Sequence, residues 1–402
     1  MTLRSLGANA PRDVPLLALL CTLGIQVLVS MCMLALPAIA PAVARGVGVP
    51  VTLAGVYVAL AFGAAMLSAS AGGARLRRHG PIRLSQACLL LCGLGMALVC
   101  SGIAPLMGAG ALLIGCGYGP VTPASSQLLA AHTPVRLRGV VFSLKQTGVP
   151  LGGMLAGALL PGIVVWANWR VALALVALAC ALAALVVQGV RARFDAGAAG
   201  DSVPRPPSRH PVALVWRHPP IRALALLSFF FAGVQLCLST FFVAQLHQAA
   251  GLGLVRAGML LALAQGAGVL GRITWGALAD RGVPATRLLG LLALAMAGCA
   301  LATAAVGRHW TLPGLVVLAA CFGATATGWN GVYLAEVARL APAGQAGLLT
   351  GGTLSFTYAG VVSWPPLFAL AAGVGGRLGW GYALVGAVVG LLGFVVLLRR
   401  PR

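Results

Sequence analysis

Twelve long apolar runs constrain the fold of this chain more than any other feature. Each run is long enough for a helix to cross the bilayer core, which takes about 20 residues. Only 8% of the residues are charged, whereas a soluble domain carries roughly a quarter. The sequence therefore predicts an all-α membrane protein with twelve transmembrane helices. The runs lie at about 15–38, 51–72, 83–103, 105–131, 140–165, 170–190, 221–246, 254–279, 285–306, 311–337, 347–373 and 379–398.

The net charge of +22 comes from arginines in the short segments between the runs. If the N-terminus is cytoplasmic, 21 arginines fall on the cytoplasmic side, and only Arg45, Arg170, Arg256, Arg308 and Arg377 fall outside. This bias is the positive-inside pattern of membrane proteins, so nucleic-acid binding is not expected. The sequence predicts a multi-pass protein of the cytoplasmic (inner) membrane with both termini cytoplasmic. Its expected partners are the lipid bilayer and a small-molecule substrate, and a monomer is expected.

Motifs of enzymes and of metal sites do not stand out. The chain shows no catalytic triad, phosphate loop or HExxH motif, and its histidines lack metal-ligand spacing. The ten cysteines all fall in apolar runs without a CxxC pair, as expected of packing residues. We therefore expect neither an enzyme, nor a cofactor, nor a metal site.

The two halves of the chain repeat each other. Gly24, Gln26 and Ser30 in run 1 correspond to Gly233, Gln235 and Ser239 in run 7. Shorter matches join runs 2 and 8, runs 5 and 11 (Ser143 and Gly148 with Ser355 and Gly360), and the starts of runs 6 and 12. Parallel repeats of six spans indicate two bundles related by an axis along the membrane normal. The predicted division is an N-terminal six-helix bundle at 1–190, a cytoplasmic linker at 191–220 and a C-terminal six-helix bundle at 221–402.

The loop after run 8 carries Gly276-Ala-Leu278-Ala-Asp280-Arg281. This segment resembles the hallmark motif of the major facilitator superfamily, and the resemblance extends over essentially the whole chain. The first copy, at 73–80, is degenerate, since Arg77 stands at the aspartate position. The segment from Gly148 to Gly153 is similar to the Gly/Pro-rich motif of the family's antiporters, with one residue missing. The resemblance implies alternating access around a central site lined by spans 1, 4, 5, 7, 8, 10 and 11.

Lys145 is the only lysine of the chain, and it lies inside run 5. A charge within a membrane segment is costly unless it faces protein or water, which makes it a candidate functional residue. Its depth, roughly 9 Å past Gly139 at 1.5 Å per residue, leaves two alternatives. The side chain either reaches the central cavity or gate, or snorkels to the inner membrane surface.

Other polar residues inside the runs are candidates for the substrate site. Gln26 and Gln235 lie at matched positions near the middle of runs 1 and 7, and Ser30 and Ser239 follow one turn later on the same face. The alternative role of such residues is to hold helices together. The substrate-binding candidates are Lys145, Gln26, Gln235, Ser30, Ser239, Asn330, Tyr358 and Gln265.

Carboxylates are scarce. Asp13, Asp195 and Asp201 fall in the N-terminal tail or the linker, and none of the five acids is expected at mid-depth. By resemblance, Asp280 and Arg281 form the inner gate latch, with Gly276 in the same motif. Glu336 is expected to pair with Arg339 or Arg281, and Arg272 either completes the latch or reaches the cavity. The gating candidates are Asp280, Arg281, Gly276, Arg272 and Glu336.

A lone buried ammonium without a matching acid favours an anionic substrate, because a cation carrier would need a carboxylate. The sequence thus predicts a secondary transporter of a small, carboxylate-like organic anion, working by proton symport or exchange. The alternative is a drug-efflux antiporter for neutral hydrophobic compounds.

Overall fold

A computed structural model of the protein describes residues 13–134, 137–195, 211–342 and 345–398, and apart from a 3₁₀ turn at Val51–Leu53 every regular element in them is an α-helix. The first half holds α1 (Asp13–Ala38), α2 (Ala40–Val47), α3 (Ala54–His79), α4 (Pro81–Cys100), α5 (Ala104–Tyr118), α6 (Val121–His132), α7 (Arg138–Gln146), α8 (Gly148–Trp166), α9 (Trp169–Val186) and α10 (Gln188–Asp195). The second half holds α11 (Pro211–Arg217), α12 (Pro219–Ala249), α13 (Leu254–Asp280), α14 (Ala285–Ala304), α15 (Leu312–Ala326), α16 (Asn330–Leu340), α17 (Ala346–Val374) and α18 (Gly379–Leu398).

Three of the sequence predictions fall partly outside the described part of the chain. These are the middle of the linker (196–210), both chain ends, and the side chains of the first hallmark copy up to residue 79.

Twelve stretches of the described chain are helical, long and apolar enough to cross a membrane, which confirms the predicted count. Spans 1, 2, 3, 6, 7, 8, 9, 11 and 12 are the single helices α1, α3, α4, α9, α12, α13, α14, α17 and α18. Spans 4, 5 and 10 each consist of two helices in line, namely α5–α6, α7–α8 and α15–α16.

The helix breaks in spans 4 and 10 lie at corresponding places. Span 4 is interrupted between Tyr118 and Val121, where Pro120 removes a backbone donor. Span 10 is interrupted between Ala326 and Asn330. Span 5 has a further break at Thr147, whereas its counterpart, span 11, is one continuous helix. A break inside a membrane is tolerated only where protein or water covers the freed backbone groups, so the breaks point to the protein interior.

The packing pairs repeat between the halves, as two pseudo-symmetric six-helix bundles require. In the first half span 1 packs on span 5, span 2 on span 4 and span 3 on span 6. In the second half span 7 packs on span 11, span 8 on span 10 and span 9 on span 12. The bundles meet where span 5 packs on span 8 and span 2 packs on span 11.

The bundles are closed against each other on the side that the arginines predict to be outer. A Cβ added to Gly157 of span 5 would overlap the carbonyl oxygen of Gly258 in span 8, and the converse substitution would overlap that of Gly157. A Cβ added to Gly55 of span 2 would likewise overlap the carbonyl oxygen of Pro365 in span 11. Backbones approach this closely only where side chains are absent. We call these two contacts, Gly157–Gly258 and Gly55–Pro365, the outer seal.

On the opposite side, which the arginines predict to be cytoplasmic, span 8 is less covered. Most residues between Leu254 and Gln265, in the outer half of span 8, are buried. From Leu270 to Asp280, in its inner half, only Gly271 is buried. With the sidedness predicted from the arginines, this difference is the one expected of an inward-facing form.

Asp195, at the end of α10, is fastened to the first bundle. Its two carboxylate oxygens accept hydrogen bonds from the backbone nitrogens of Ile82 and Arg83, at 2.9 and 3.0 Å. These donors belong to the first turn of span 3, which has no intrahelical acceptor for them. Helix α10, which follows span 6, is thus bound at its end to the start of span 3.

Candidate functional site

Lys145 lies within the protein at the contact between spans 1 and 5. Only 2% of its surface is exposed. The ammonium nitrogen Nζ donates to Gln26 Oε1 at 2.8 Å and to Gln146 Oε1 at 3.3 Å. Gly148, directly after the break in span 5, allows this approach, because a Cβ there would collide with the Gln26 side chain. Protein covers the side chain instead of leaving it extended to the surface, and its role in the cavity or gate stays a prediction.

Gln26 of span 1 binds both Lys145 and a residue of span 4. Its Oε1 atom accepts from Lys145 and, at 3.5 Å, from the hydroxyl of Thr122. Its Nε2 atom donates to the hydroxyl of Ser30 at 3.1 Å. The amide therefore uses donor and acceptor together, and its orientation is set by three neighbours.

The second bundle has a related cluster around Gln235. Its Oε1 atom accepts from Trp329 Nε1 at 3.2 Å and from Asn330 Nδ2 at 3.3 Å. On the next turn, Ser239 donates to the Gln235 carbonyl at 3.0 Å and accepts from Gln265 Nε2 at 2.9 Å. Predicted substrate-site residues thus lie in two hydrogen-bonded sets: Lys145, Gln26 and Ser30 in one, and Gln235, Asn330 and Ser239 in the other. Gln265 joins the second set.

The two clusters correspond, but their charges differ. Thr122 and Asn330 each lie in the first turn of the helix that follows a break. Thr122 donates to Gln26, and Asn330 donates to Gln235. In the sequence repeat, Thr357 of span 11 is the residue equivalent to Lys145 of span 5. Thr357 donates to Ser228 at 2.9 Å and carries no charge. The ammonium is therefore an asymmetric addition to an otherwise matched pair of polar clusters.

Arg272 of span 8 reaches across the boundary between the bundles. Its Nε donates to the carbonyl of Thr327 in the break of span 10, at 3.1 Å, and its Nη1 donates to the carbonyl of Gln146 in span 5, at 3.3 Å. These two bonds join span 8 to spans 10 and 5, and neither involves the latch residues Asp280 and Arg281. Whether Arg272 acts in the latch or in the cavity stays a prediction.

Tyr118 of the first bundle lies near both Arg272 and Tyr358 of the second. The Tyr118 side chain of span 4 is close to Ser30, to Tyr358 and to the Arg272 guanidinium. Tyr118 and Tyr358 both keep some accessible surface although they lie between the bundles. This part of the boundary is therefore not fully covered, and we call the region around Tyr118, Tyr358 and Arg272 the gap.

The described side chains near this gap include two cations and no acid. The ion pairs found in the described chain are Arg339 with Glu336 and Arg191 with Asp195, both near the cytoplasmic ends of helices. Lys145 and Arg272 instead contact neutral oxygens. The site can therefore compensate negative charge and has no described carboxylate with which to hold a cation.

A separate apolar cavity of about 160 Å³ lies at the outer end of the first bundle. Its lining includes Leu36, Val43, Tyr57, Leu60 and Met107, and no charged side chain. It is remote from Lys145 and lacks the polar groups that a specific site for a charged compound needs.

A family model described as the Major Facilitator Superfamily matches residues 19–365. The chain belongs to the Major Facilitator Superfamily. It is thus a multi-pass membrane protein and a secondary transporter, as the hallmark after span 8 indicated.

Solved structures similar to this chain belong to transporters that are named for different compounds. A bacterial homologue of the human lysosomal transporter Spinster, in an inward-facing and unoccupied conformation, is 14% identical with a TM-score of 0.72, over 97% of this chain and 96% of that one. The peptide transporter POT in complex with sulfate is 18% identical with a TM-score of 0.74, over 96% and 94%. A D-xylose–proton symporter is 16% identical with a TM-score of 0.72, over 95% and 97%. At such identities the likeness establishes the fold and leaves the substrate open.

The gating candidates of this Major Facilitator Superfamily member occupy different settings. Asp280 and Arg281 are exposed, Asp280 has no ion pair in the described chain, and an added Cβ at Gly276 would meet open space. Glu336 is 7% exposed and accepts two hydrogen bonds from Arg339, from Nε at 2.7 Å and from Nη2 at 2.6 Å. Among the described side chains, Asp280 and Arg281 thus form no ion pair, and their role as a latch stays a prediction.

Tyr118, Thr122 and Gln146 lie in the site but were not among the predicted site residues. Tyr118 and Thr122 flank the Gly-Pro break of span 4, and Gln146 precedes the break of span 5. A helix break inside a predicted span was the available signal, since membrane proteins keep such breaks away from lipid.

Proposed function

We propose that the protein carries a small organic anion across the cytoplasmic membrane by alternating access, in proton symport or in exchange. The observation that carries this proposal is the pair Lys145 and Arg272: a lysine inside the first bundle and an arginine that reaches across the boundary to the residue after it, both with only neutral partners among the described residues. A charge removed from water is costly unless an opposite charge compensates it. A bound anion supplies that charge.

The exposed side of the site suggests how the anion reaches the ammonium. Lys145 is covered, but its partner Gln146 is exposed. The 3.3 Å bond from Lys145 to Gln146 is longer than the 2.8 Å bond to Gln26. An acid group entering from the cytoplasmic gap would replace Gln146 on Nζ, while Gln26 keeps the lysine in position.

Transport then follows from the two-bundle architecture. In the inward-facing form the outer seal is closed, and Asp280 forms no ion pair with a described side chain. In the outward-facing form we expect the latch to engage and the seal to separate. Lys145 and Gln26 belong to one bundle, and Gln235, Asn330 and Arg272 to the other, so a substrate bound between them contacts both.

The test uses the fact that Lys145 is the only lysine. In purified protein an amine-reactive reagent modifies the N-terminal amine and Lys145, and peptide mass spectrometry separates the two. Carboxylates that are substrates should slow modification of Lys145 and leave the N-terminus unaffected. Lys145→Ala should lose at least about tenfold in uptake into proteoliposomes, because a charge-assisted hydrogen bond contributes about 1.5–3 kcal/mol.

Thr357→Ala is the matched control, since Thr357 occupies the corresponding place in span 11. It should retain far more uptake than Lys145→Ala. Wild-type anion uptake by a folded Lys145→Ala variant would overturn the proposal. So would export of a neutral apolar compound that survives the loss of Lys145, since that result belongs to a drug-efflux antiporter.

A further inference from the structure

The two cations of the site are arranged around a single residue. Lys145 Nζ contacts the side-chain oxygen of Gln146 at 3.3 Å, and Arg272 Nη1 contacts its backbone oxygen at 3.3 Å. The lysine belongs to the first bundle and the arginine to the second. One residue at the edge of the gap thus separates two positive groups that approach it from opposite sides.

Each cation has donor capacity that protein atoms do not use. An ammonium offers three donors and a guanidinium five. Lys145 makes two hydrogen bonds to described residues, and Arg272 makes two. All four acceptors are neutral amide or carbonyl oxygens. One acid group can compensate only one of these charges, and the second charge would remain without a partner.

We infer that the substrate is a small dicarboxylate, with one carboxylate on Lys145 and the other on Arg272. This inference rests on the proposed anion transport and adds the number of acid groups. Arginine presents a planar fork that fits a carboxylate with two parallel hydrogen bonds. The lysine, a compact point charge, suits the second acid without fixing its orientation.

A dianion held in this way connects the bundles electrostatically. Lys145 and Arg272 place one positive charge in each bundle, on either side of Gln146. The dianion attracts both, so it lowers the free energy of a closed form in which the bundles approach more than that of the open form. A ligand shifts a conformational equilibrium only through such a difference in affinity. A monoanion that binds Lys145 alone would leave Arg272 uncompensated and favour closure less.

The experiment compares acids that differ in one carboxylate. The dicarboxylates malonate, succinate, glutarate and adipate are paired with the monocarboxylates of equal carbon number, propionate to hexanoate, at pH 7.4. The readouts are the melting temperature of the purified protein and the protection of Lys145 from the amine-reactive reagent. At least one dicarboxylate should protect Lys145 at a concentration about tenfold or more below that of its monocarboxylate partner.

Arg272 variants test the second contact. Arg272→Gln should remove the dicarboxylate preference, while the affinity for the monocarboxylate changes less than about threefold. Arg272→Lys keeps the charge without the fork and should retain part of the preference. Arg256→Gln, the same change at an exposed position at the outer start of span 8, is the matched control and should retain all of it. Size-exclusion profiles establish that each variant is folded.

The outcomes separate this inference from the proposed function. If no dicarboxylate of the series surpasses its monocarboxylate partner, or if folded Arg272→Gln keeps the full preference, the dicarboxylate inference is overturned. Loss of monocarboxylate uptake in Lys145→Ala would still support the transport of anions in that case. If Lys145→Ala takes up both kinds of acid like the wild type, both proposals are overturned.

Discussion

Lys145 of span 5 donates to Gln26 of span 1 over 2.8 Å, and this bond places a positive charge in the protein interior at the height of the helix breaks. The lysine is 2% exposed and Gln26 is fully covered. Lipid therefore contacts neither group. The charge is held by neutral dipoles, which stabilise it less than a carboxylate would, and it stays available to an incoming anion.

Replacing Gln26 by leucine removes the strongest contact of the ammonium. We expect Gln26→Leu to lower the free energy of unfolding by about 1–3 kcal/mol, because a buried donor loses its acceptor. Anion uptake should fall at least about tenfold for the same reason. Thermal melting and proteoliposome uptake measure the two effects. Gln235→Leu, at the matched position, is the comparison and should leave the modification rate of Lys145 unchanged. Wild-type melting and uptake in Gln26→Leu would show that the contact has no such role.

Gln146 covers the ammonium on the side of the gap. We expect Gln146→Ala to make Lys145 react several-fold faster with an amine reagent, because the exposed contact at 3.3 Å is lost while the contact to Gln26 remains. The rate is read by mass spectrometry of the lysine peptide. The control is Thr147→Ala, whose hydroxyl bonds within its own helix turn at the Leu144 carbonyl. An unchanged rate in Gln146→Ala would contradict the proposed route to Lys145.

The outer seal requires glycine at residue 258. A valine there would overlap the Gly157 carbonyl and the ring of Pro161, so we expect Gly258→Val to separate spans 5 and 8 on the outer side and to reduce uptake strongly. Spin labels at positions 45 and 256 should move apart by several ångströms relative to the parent. Gly298→Val is the matched control, since a Cβ there meets nothing within 4 Å. Equal distances in Gly258→Val and the parent would argue against the seal.

Asp195 satisfies two backbone donors at the start of span 3. We expect Asp195→Ala to lower the free energy of unfolding by about 1–2 kcal/mol, the range for losing a helix cap or a hydrogen bond to a charged group. Uptake per folded molecule should stay close to wild type, since the contact lies within one bundle. Asp195→Asn keeps one acceptor, so its melting temperature should lie between those of the wild type and Asp195→Ala. A melting temperature equal to wild type in Asp195→Ala would rule out the capping role.

The sequence repeat predicted the central residues of the two clusters but not the partners that they contact. Gln26 and Gln235 were predicted as a matched pair from their spacing, and each is indeed the centre of a hydrogen-bonded cluster. Their role in substrate binding remains a prediction. The partners Thr122 and Trp329 come from spans 4 and 10, far along the chain, and nothing in the local pattern of span 1 or 7 indicates them.

The sequence by itself determined the twelve spans, their division into two repeated halves, and the single lysine at membrane depth. These features are local, because a helix in lipid must satisfy its own backbone within one continuous apolar segment. Only the tertiary structure decided that Lys145 turns inward to Gln26, that Arg272 reaches Gln146, and that Asp195 closes on span 3. The direction of a side chain depends on helix rotation and on small breaks such as the one at Thr147, and both are set by packing between segments distant in the chain.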